Sequence, residues 1–352
     1  MPKINIAKNA LDTIIRKSRV HLYKPIQIAE ILFHHRTDKR RWVLLDLESY
    51  RNVSKKWRDE VSGRLVGRVC TSSQKFQDNI FEINAIPPSL LRDLGNFNKR
   101  ESGLVEAYIY NALNTRLSSV HDVNLYVSKS TASTFDLKKL VNFFVLDPGL
   151  KRSTDKIYEI LVYALFSTIV RALRAQITLE ILNDNKQLLQ DFEPFIKMVL
   201  GIDAKNTKIT LPAALYRAGV ANAADRGLDM WANFGLAVQV KHLTLTPEII
   251  EDVATGIAAD RIVVVCVDSE KTAIENLLSQ VGWGEKIQGI ITMNDLDQWY
   301  KICLSDKYRN NLGKFLLRDV EREFNLEFPS NSELLPFIKE RGYFKLKTAG
   351  SW

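Results

Sequence analysis

The sequence predicts an α/β protein: a central mixed β-sheet near residues 205–300 flanked by helices, preceded by a largely helical, basic N-terminal region. Three observations predict it. Apolar residues before Gly201 recur mostly at helical spacing. After Gly201 the chain changes to short runs rich in branched and aromatic residues, which is strand composition. Those runs then alternate with helical segments, the pattern of a sheet covered on both faces. A chain of 352 residues, 46% hydrophobic and 26% charged, exceeds one typical core. We divide it into residues 1–100, basic and mainly helical, and residues 101–352, with an α/β core near 155–300 and a helical C-terminal tail.

Taken in order, residues 10–35 carry apolar positions at Leu11, Ile14 and Ile15 and again at Ile26, Ile28, Ile31 and Leu32. Pro25 splits them into two helices, because proline lacks the N–H that a helix interior needs. Residues 36–68 hold two basic clusters, Lys39, Arg40 and Arg41 beside Trp42, and Lys55, Lys56 and Arg58 around Trp57. Such mixtures grip phosphates and pack on sugars or bases; alternatively the tryptophans anchor helices while the charges face water. Pro87 and Pro88, followed by the polar stretch 95–102, mark a boundary. Helices are expected over 103–117, 156–182 and 188–200. Strands are expected over 209–216, 228–234 and 237–245, with Gly235 as the turn between the last two. A helix from Pro247 to residue 257, a buried strand over 262–267, a helix over 271–281 and a strand over 287–292 follow, and residues 300–335 return to charged, helical patterning.

The first 100 residues contain 20 Lys and Arg against 10 Asp and Glu, a net +10 within a chain of net +8, and the remainder is −2. Basic charge gathered in one region suits a polyanion, since each neutralised phosphate releases counterions. Three widely spaced cysteines, Cys70, Cys266 and Cys303, give neither zinc-ligand spacing nor a disulfide framework. The apolar runs fall short of the roughly 20 residues a bilayer requires, and the N-terminus has no secretory pattern, so a cytoplasmic location is expected. No glycine-rich loop of Walker or Rossmann spacing follows a strand, which leaves a nucleotide cofactor without support.

The chemistry concentrates in AADRGLDMWANFGLAVQVKHL, residues 223–243. Strand residues two apart share a face, so Gln239 and Lys241 project together while Val238, Val240 and His242 face the other way. Asp229 lies ten residues before Gln239, across the turn at Gly235, where hairpin pairing brings its carboxylate alongside. Metal-assisted phosphodiester hydrolysis needs a carboxylate for a hard cation, further oxygen donors and a cation beside the attacking water. Asp229 would bind Mg²⁺, Gln239 would add its carbonyl oxygen, and Lys241 would polarise the water and stabilise developing charge. Arg217 and Arg226 flank the first strand and could contact a phosphate. Asp225 and Asp268 better suit turn and cap roles.

An aspartate on one strand and a Gln-x-Lys element on the next resemble the metal site of the PD-(D/E)XK nuclease superfamily. More narrowly, KSRVHLYKPIQIAEIL (residues 17–32), SSQKFQDNIF (72–81), NAADRGLDMWANFG (222–235) and AVQVKHL (237–243) resemble HaeII-type restriction endonucleases. The resemblance runs through most of the chain. It implies a PD-(D/E)XK core with Asp229, Gln239 and Lys241 in the three central roles, and Mg²⁺-dependent cleavage of double-stranded DNA at a short palindrome, such as purine-GCGC-pyrimidine, leaving 5′-phosphate ends. A homodimer would place one centre on each strand, and residues 1–100 would serve DNA recognition. Gln239 departs from the second acid of much of the superfamily, so another carboxylate is sought, first Glu159 and then Glu106. Two alternatives stay open: a structure-specific repair or recombination nuclease on the same core, and a non-catalytic DNA-binding module.

Overall fold

The computed structural model describes residues 2–38, 42–203, 206–218, 228–241, 251, 256–257, 259–266, 286–330 and 332–346. The chain forms two compact units, one of residues 1–161, 219–226 and 317–352, the other of 162–218 and 227–316.

In the first unit, helices α1 (Pro2–Lys17), α2 (Tyr23–Thr37), α3 (Leu47–Val66), α4 (Pro88–Arg100), α5 (Leu104–Lys129) and α6 (Leu137–Leu146) are followed by the start of α7 (Thr154–Ala172). The expected split between α1 and α2 is present. Pro25 sits in the first turn of α2, where its missing N–H has no intrahelical partner to lose. The apolar stripes of these helices build one core containing Leu11, Ile26, Ile28, Tyr50, Leu65, Leu91 and Ile109. Leu334, Phe337 and Ile338, from α10 (Leu334–Glu340), and Tyr343 join the same core from the far end of the sequence. Before them come α8 (Met293–Leu304), in the second unit, and α9 (Lys314–Glu327).

The second unit holds two sheets. β1 (Gln176–Glu180) and β2 (Lys208–Pro212) pair antiparallel. Strands β3 (Leu215–Arg217), β4 (Met230–Ala232), β5 (Leu236–Lys241), β6 (Arg261–Cys266) and β7 (Ile287–Thr292) form a five-stranded sheet in that order. β4 runs antiparallel to both β3 and β5, whereas β5, β6 and β7 run parallel, so the sheet is mixed. Ala237, Ile262, Val264, Cys266, Ile287 and Ile290 form its apolar core.

The structure shortens the helix expected over 156–182. It ends at Ala172, and Gln176–Glu180 is a strand, as the β-branched Ile177 and Thr178 favour. The single strand expected over 209–216 is two strands in different sheets. Pro212, which cannot donate to a ladder, closes β2, and Ala213 and Ala214 turn the chain into β3. The helices expected over 247–257 and 271–281 lie almost entirely outside the described residues. No helix among the described residues is long and apolar enough to cross a membrane.

Candidate active site

The hairpin of β4 and β5 builds the site. Gly235 closes its turn at φ +80°, a left-handed conformation that side chains other than glycine resist. A Cβ at that position would also lie 3.1 Å from Asp260 Oδ2. With the turn fixed, Met230 pairs with Val238 and Trp231 with Ala237, so Asp229 falls beside Gln239.

The side chains make the contact that this register requires. Asp229 Oδ2 accepts a hydrogen bond from Gln239 Nε2 at 2.5 Å and another from the Val240 backbone N–H at 2.7 Å. On its other flank, the Asp229 carbonyl oxygen accepts from Ala218 N at 2.8 Å. The acid is thus tied to β5 through its side chain and to the end of β3 through its backbone. Gln239 is only 5% exposed, and Lys241, at the end of β5, is half-buried. In the parallel ladder they pair with Val264 and Cys266. Carboxylate, amide and amine therefore share one sheet face, two of them in direct contact.

An aspartate carboxylate and a glutamine amide within one hydrogen bond of each other are hard oxygen donors, which suits a hard divalent cation. Among the described residues no three His, Cys, Asp or Glu side chains cluster as a metal site, so a second acid does not stand beside Asp229 in that sense. Glu159, on α7, is 5% exposed and takes Lys156 Nζ on both oxygens at 2.6 and 2.8 Å; it belongs to the first unit. Glu106 is fully buried. It accepts two bonds from Arg36, at 3.0 and 2.8 Å, one from Asn98 at 2.5 Å and one from the Tyr343 hydroxyl at 2.6 Å. Those donors commit Glu106 to the helical core.

The basic residues singled out from the sequence divide by setting. Lys55 pairs with Asp78 at 2.7 Å, and Lys56 is exposed. Arg58 is 1% exposed, held by Gln27 Oε1 at 3.1 Å and by Asp59, so it braces α2 against α3. Trp42 and Trp57 meet edge to face at 5.1 Å, His34 stacks on Trp57 at 3.8 Å, and both tryptophans pack on the helical core. The tryptophans are therefore anchors, as the second reading of these clusters has it. Arg217 is half-buried on β3. Lys39, Arg40, Arg41, Asp225, Arg226, His242 and Asp268 lie outside the described residues.

Sequence reasoning missed a neighbour of Asp229. Trp231, two residues along the same strand, stacks on its cross-strand partner Tyr216 at 4.3 Å, and the two rings are 45% and 42% exposed. An open aromatic platform thus shares the acid's sheet face. Its signal was only Tyr and Trp at pairing positions, visible once register is known.

Comparison with known proteins establishes the family. The chain is 47% identical over 347 residues to the type II restriction enzyme HaeII of Haemophilus aegyptius, with 98% of each chain covered. It is 48% identical over 340 residues to the type II restriction enzyme NgoBI of Neisseria gonorrhoeae, with 96% of each covered. No solved structure matches. The family model for the HaeII restriction endonuclease matches residues 7–343, and the chain belongs to that family, as an enzyme of the type II site-specific deoxyribonuclease class.

Proposed function

We propose that the chain hydrolyses phosphodiesters of double-stranded DNA at a short palindrome, with the reaction centred on Asp229, Gln239 and Lys241 and with Mg²⁺ as the metal. The carrying observation is the 2.5 Å bond between Gln239 and Asp229, with Lys241 one step further along the same face. Asp229 and Gln239 would hold the metal, and two N–H donors on Asp229 Oδ2 keep that carboxylate aimed. When bound, the metal lowers the pKa of water and offsets phosphate charge. Lys241 would orient the attacking water and stabilise charge gathering on the phosphoryl oxygens. Glu159 stands as candidate for the missing second acid on sequence position alone. Lys39, Arg40, Arg41, Lys55, Lys56, Arg217 and Arg226 are assigned to the DNA backbone, and residues 1–100 to recognition. The family resemblance makes purine-GCGC-pyrimidine the first site to test, and a homodimer the expected assembly.

Digestion of plasmid DNA with and without Mg²⁺, followed by sequencing of the ends, tests the reading. The expected result is one palindromic cut context for the parent chain and no cutting by Asp229→Ala. Lys241→Ala should lose at least about 100-fold in rate while DNA binding stays within a few-fold. Near-normal turnover of either variant removes that residue from the mechanism, and cutting without regard to sequence removes the palindrome.

A further inference from the structure

Residues 173–212 are turned inside out relative to the rest of the chain. Their own core has only three buried members, Leu189, Ile196 and Ile202. By contrast, nine of the 26 large apolar side chains exposed among the described residues fall in this 40-residue segment. They are ordered. Residues 186–200 form a helical run with a break at Phe192 and a π-helical last turn, Ile196–Leu200, and i→i−4 bonds from Phe192 to Leu188 and from Ile196 to Phe192 carry it across the break. Along it Leu188, Phe192, Phe195 and Val199 follow at four-, three- and four-residue steps, which places them within about 60° of one another on the helix. These four are 41%, 53%, 53% and 61% exposed. Beside the stripe Met198 is 79% exposed, and in the connection leading into the helix Leu182 is 88% exposed. The buried Leu189 and Ile196 lie on the adjoining flank. The helix has one apolar face packed on its own unit and a second facing water.

We propose that this face is the surface through which two copies of the chain pair. This rests on the palindromic reading given above, because a two-fold DNA site calls for a two-fold protein. Charge selects the partner. The segment holds five Lys and Arg against five Asp and Glu, a net of zero in a chain of +8. A neutral, apolar face is a poor match for a phosphate backbone and a good match for itself across a two-fold axis. Size agrees as well: the five open apolar side chains of the helical run, at roughly 100 Å² each, present on the order of 500 Å², which matches the apolar share of the about 800 Å² per partner in a standard interface. The small core that the helical run shares with β2, only three buried side chains among the described residues, gains further burial from the second copy.

The test is the solution mass of the full chain by sedimentation, without DNA or metal, over a concentration series. The parent chain is expected as a dimer at micromolar concentration. Leu182→Glu combined with Met198→Glu, both at open positions, should weaken pairing at least about 100-fold with unchanged circular dichroism, since each substitution occurs on both sides of the axis. Ile83→Glu, at a residue 93% exposed in the other unit, should leave the dimer intact. A monomeric parent chain overturns the proposal, and so does a double variant that pairs as tightly as the parent. Because mass is read without substrate, a dimer that cuts non-palindromic sites would overturn the functional reading and leave this one standing.

Discussion

At Asp229 a side-chain oxygen takes the place of a ladder acceptor: Val240 N bonds to Oδ2, and Gln239 Nε2 converges on the same atom. A neutral amide can do this where a second carboxylate could not, since two like charges at 2.5 Å repel. Gln239→Glu is therefore expected to stay folded, to raise the pH needed for cutting and to alter metal preference; an unchanged pH profile for Mg²⁺ and Mn²⁺ would show that position 239 is remote from the metal. The trio was legible from the sequence because strand alternation and one turn glycine fix its geometry. The Tyr216–Trp231 platform was not, since it depends on a register that only the pairing reveals. The helical unit carries a pH dependence of its own. His21 is 8% exposed and stacks on Tyr23 and Phe328. Burial, helped by Arg68 and Arg19 and opposed by Glu327, lowers its pKa from 6.5 to about 4. The folded state thus keeps His21 neutral: its contribution is complete above pH 6.5 and is lost as pH falls toward 4, a change of about 3 kcal/mol. Urea unfolding of the parent chain at pH 7 and pH 4.5 should register that loss, and His21→Phe should flatten it; parallel pH dependences would exonerate His21.

Among elements, α2, α5 and the C-terminal segment are held by buried charge as well as by apolar packing. Arg36 on α2 grips Glu106 on α5, and Tyr343 donates to the same carboxylate. Arg341 reaches Glu30 at 3.2 Å and lies over the Phe33 ring at 3.3 Å, while Tyr110 donates to Glu30 at 2.5 Å. Burial, reinforced by Glu106, pushes the Tyr343 phenol far above its usual range, so it remains a donor. Removing one partner strands the others. Tyr343→Phe should cost about 1–2 kcal/mol and Glu106→Ala about 3–5 kcal/mol, read from denaturant midpoints; a neutral Tyr343→Phe would mean that the tail is not pinned by this bond. The helices themselves were legible from apolar spacing, and Pro25 marked the start of α2. The partners of Glu106 were not, because Arg36 and Tyr343 stand 70 and 237 residues away from it in sequence. The strand over Gln176–Glu180 was hidden for a different reason: QITLE continues the apolar spacing of α7, and only its pairing with β2 decides between helix and strand.

For the whole molecule, the α/β class and the parallel strands β6 and β7 followed from composition and alternation, since buried strands read as unbroken apolar runs. The division into units did not follow. Residues 317–352 return to the helical unit through side chains such as Phe337 and Tyr343, which local patterning cannot place. Within the second unit, Asn233 bridges its two sheets. Asn233, in the turn between β4 and β5, accepts from Ala214 N at 2.9 Å, donates from Nδ2 to the Pro212 carbonyl at 3.0 Å, and donates its backbone N–H to the Ala214 carbonyl at 3.2 Å. Pro212 ends β2, in the segment whose helix is proposed for pairing, and the turn sets the spacing of Asp229 and Gln239. Asn233 thus ties the turn beneath the proposed centre to the segment proposed for pairing, and loosening it should desynchronise the two cuts. Asn233→Ala is expected to convert supercoiled plasmid first to nicked circles and only later to linear molecules, where the parent chain gives linear product directly; an identical time course on agarose gels would show that the two halves of a double-strand break keep time by some other route.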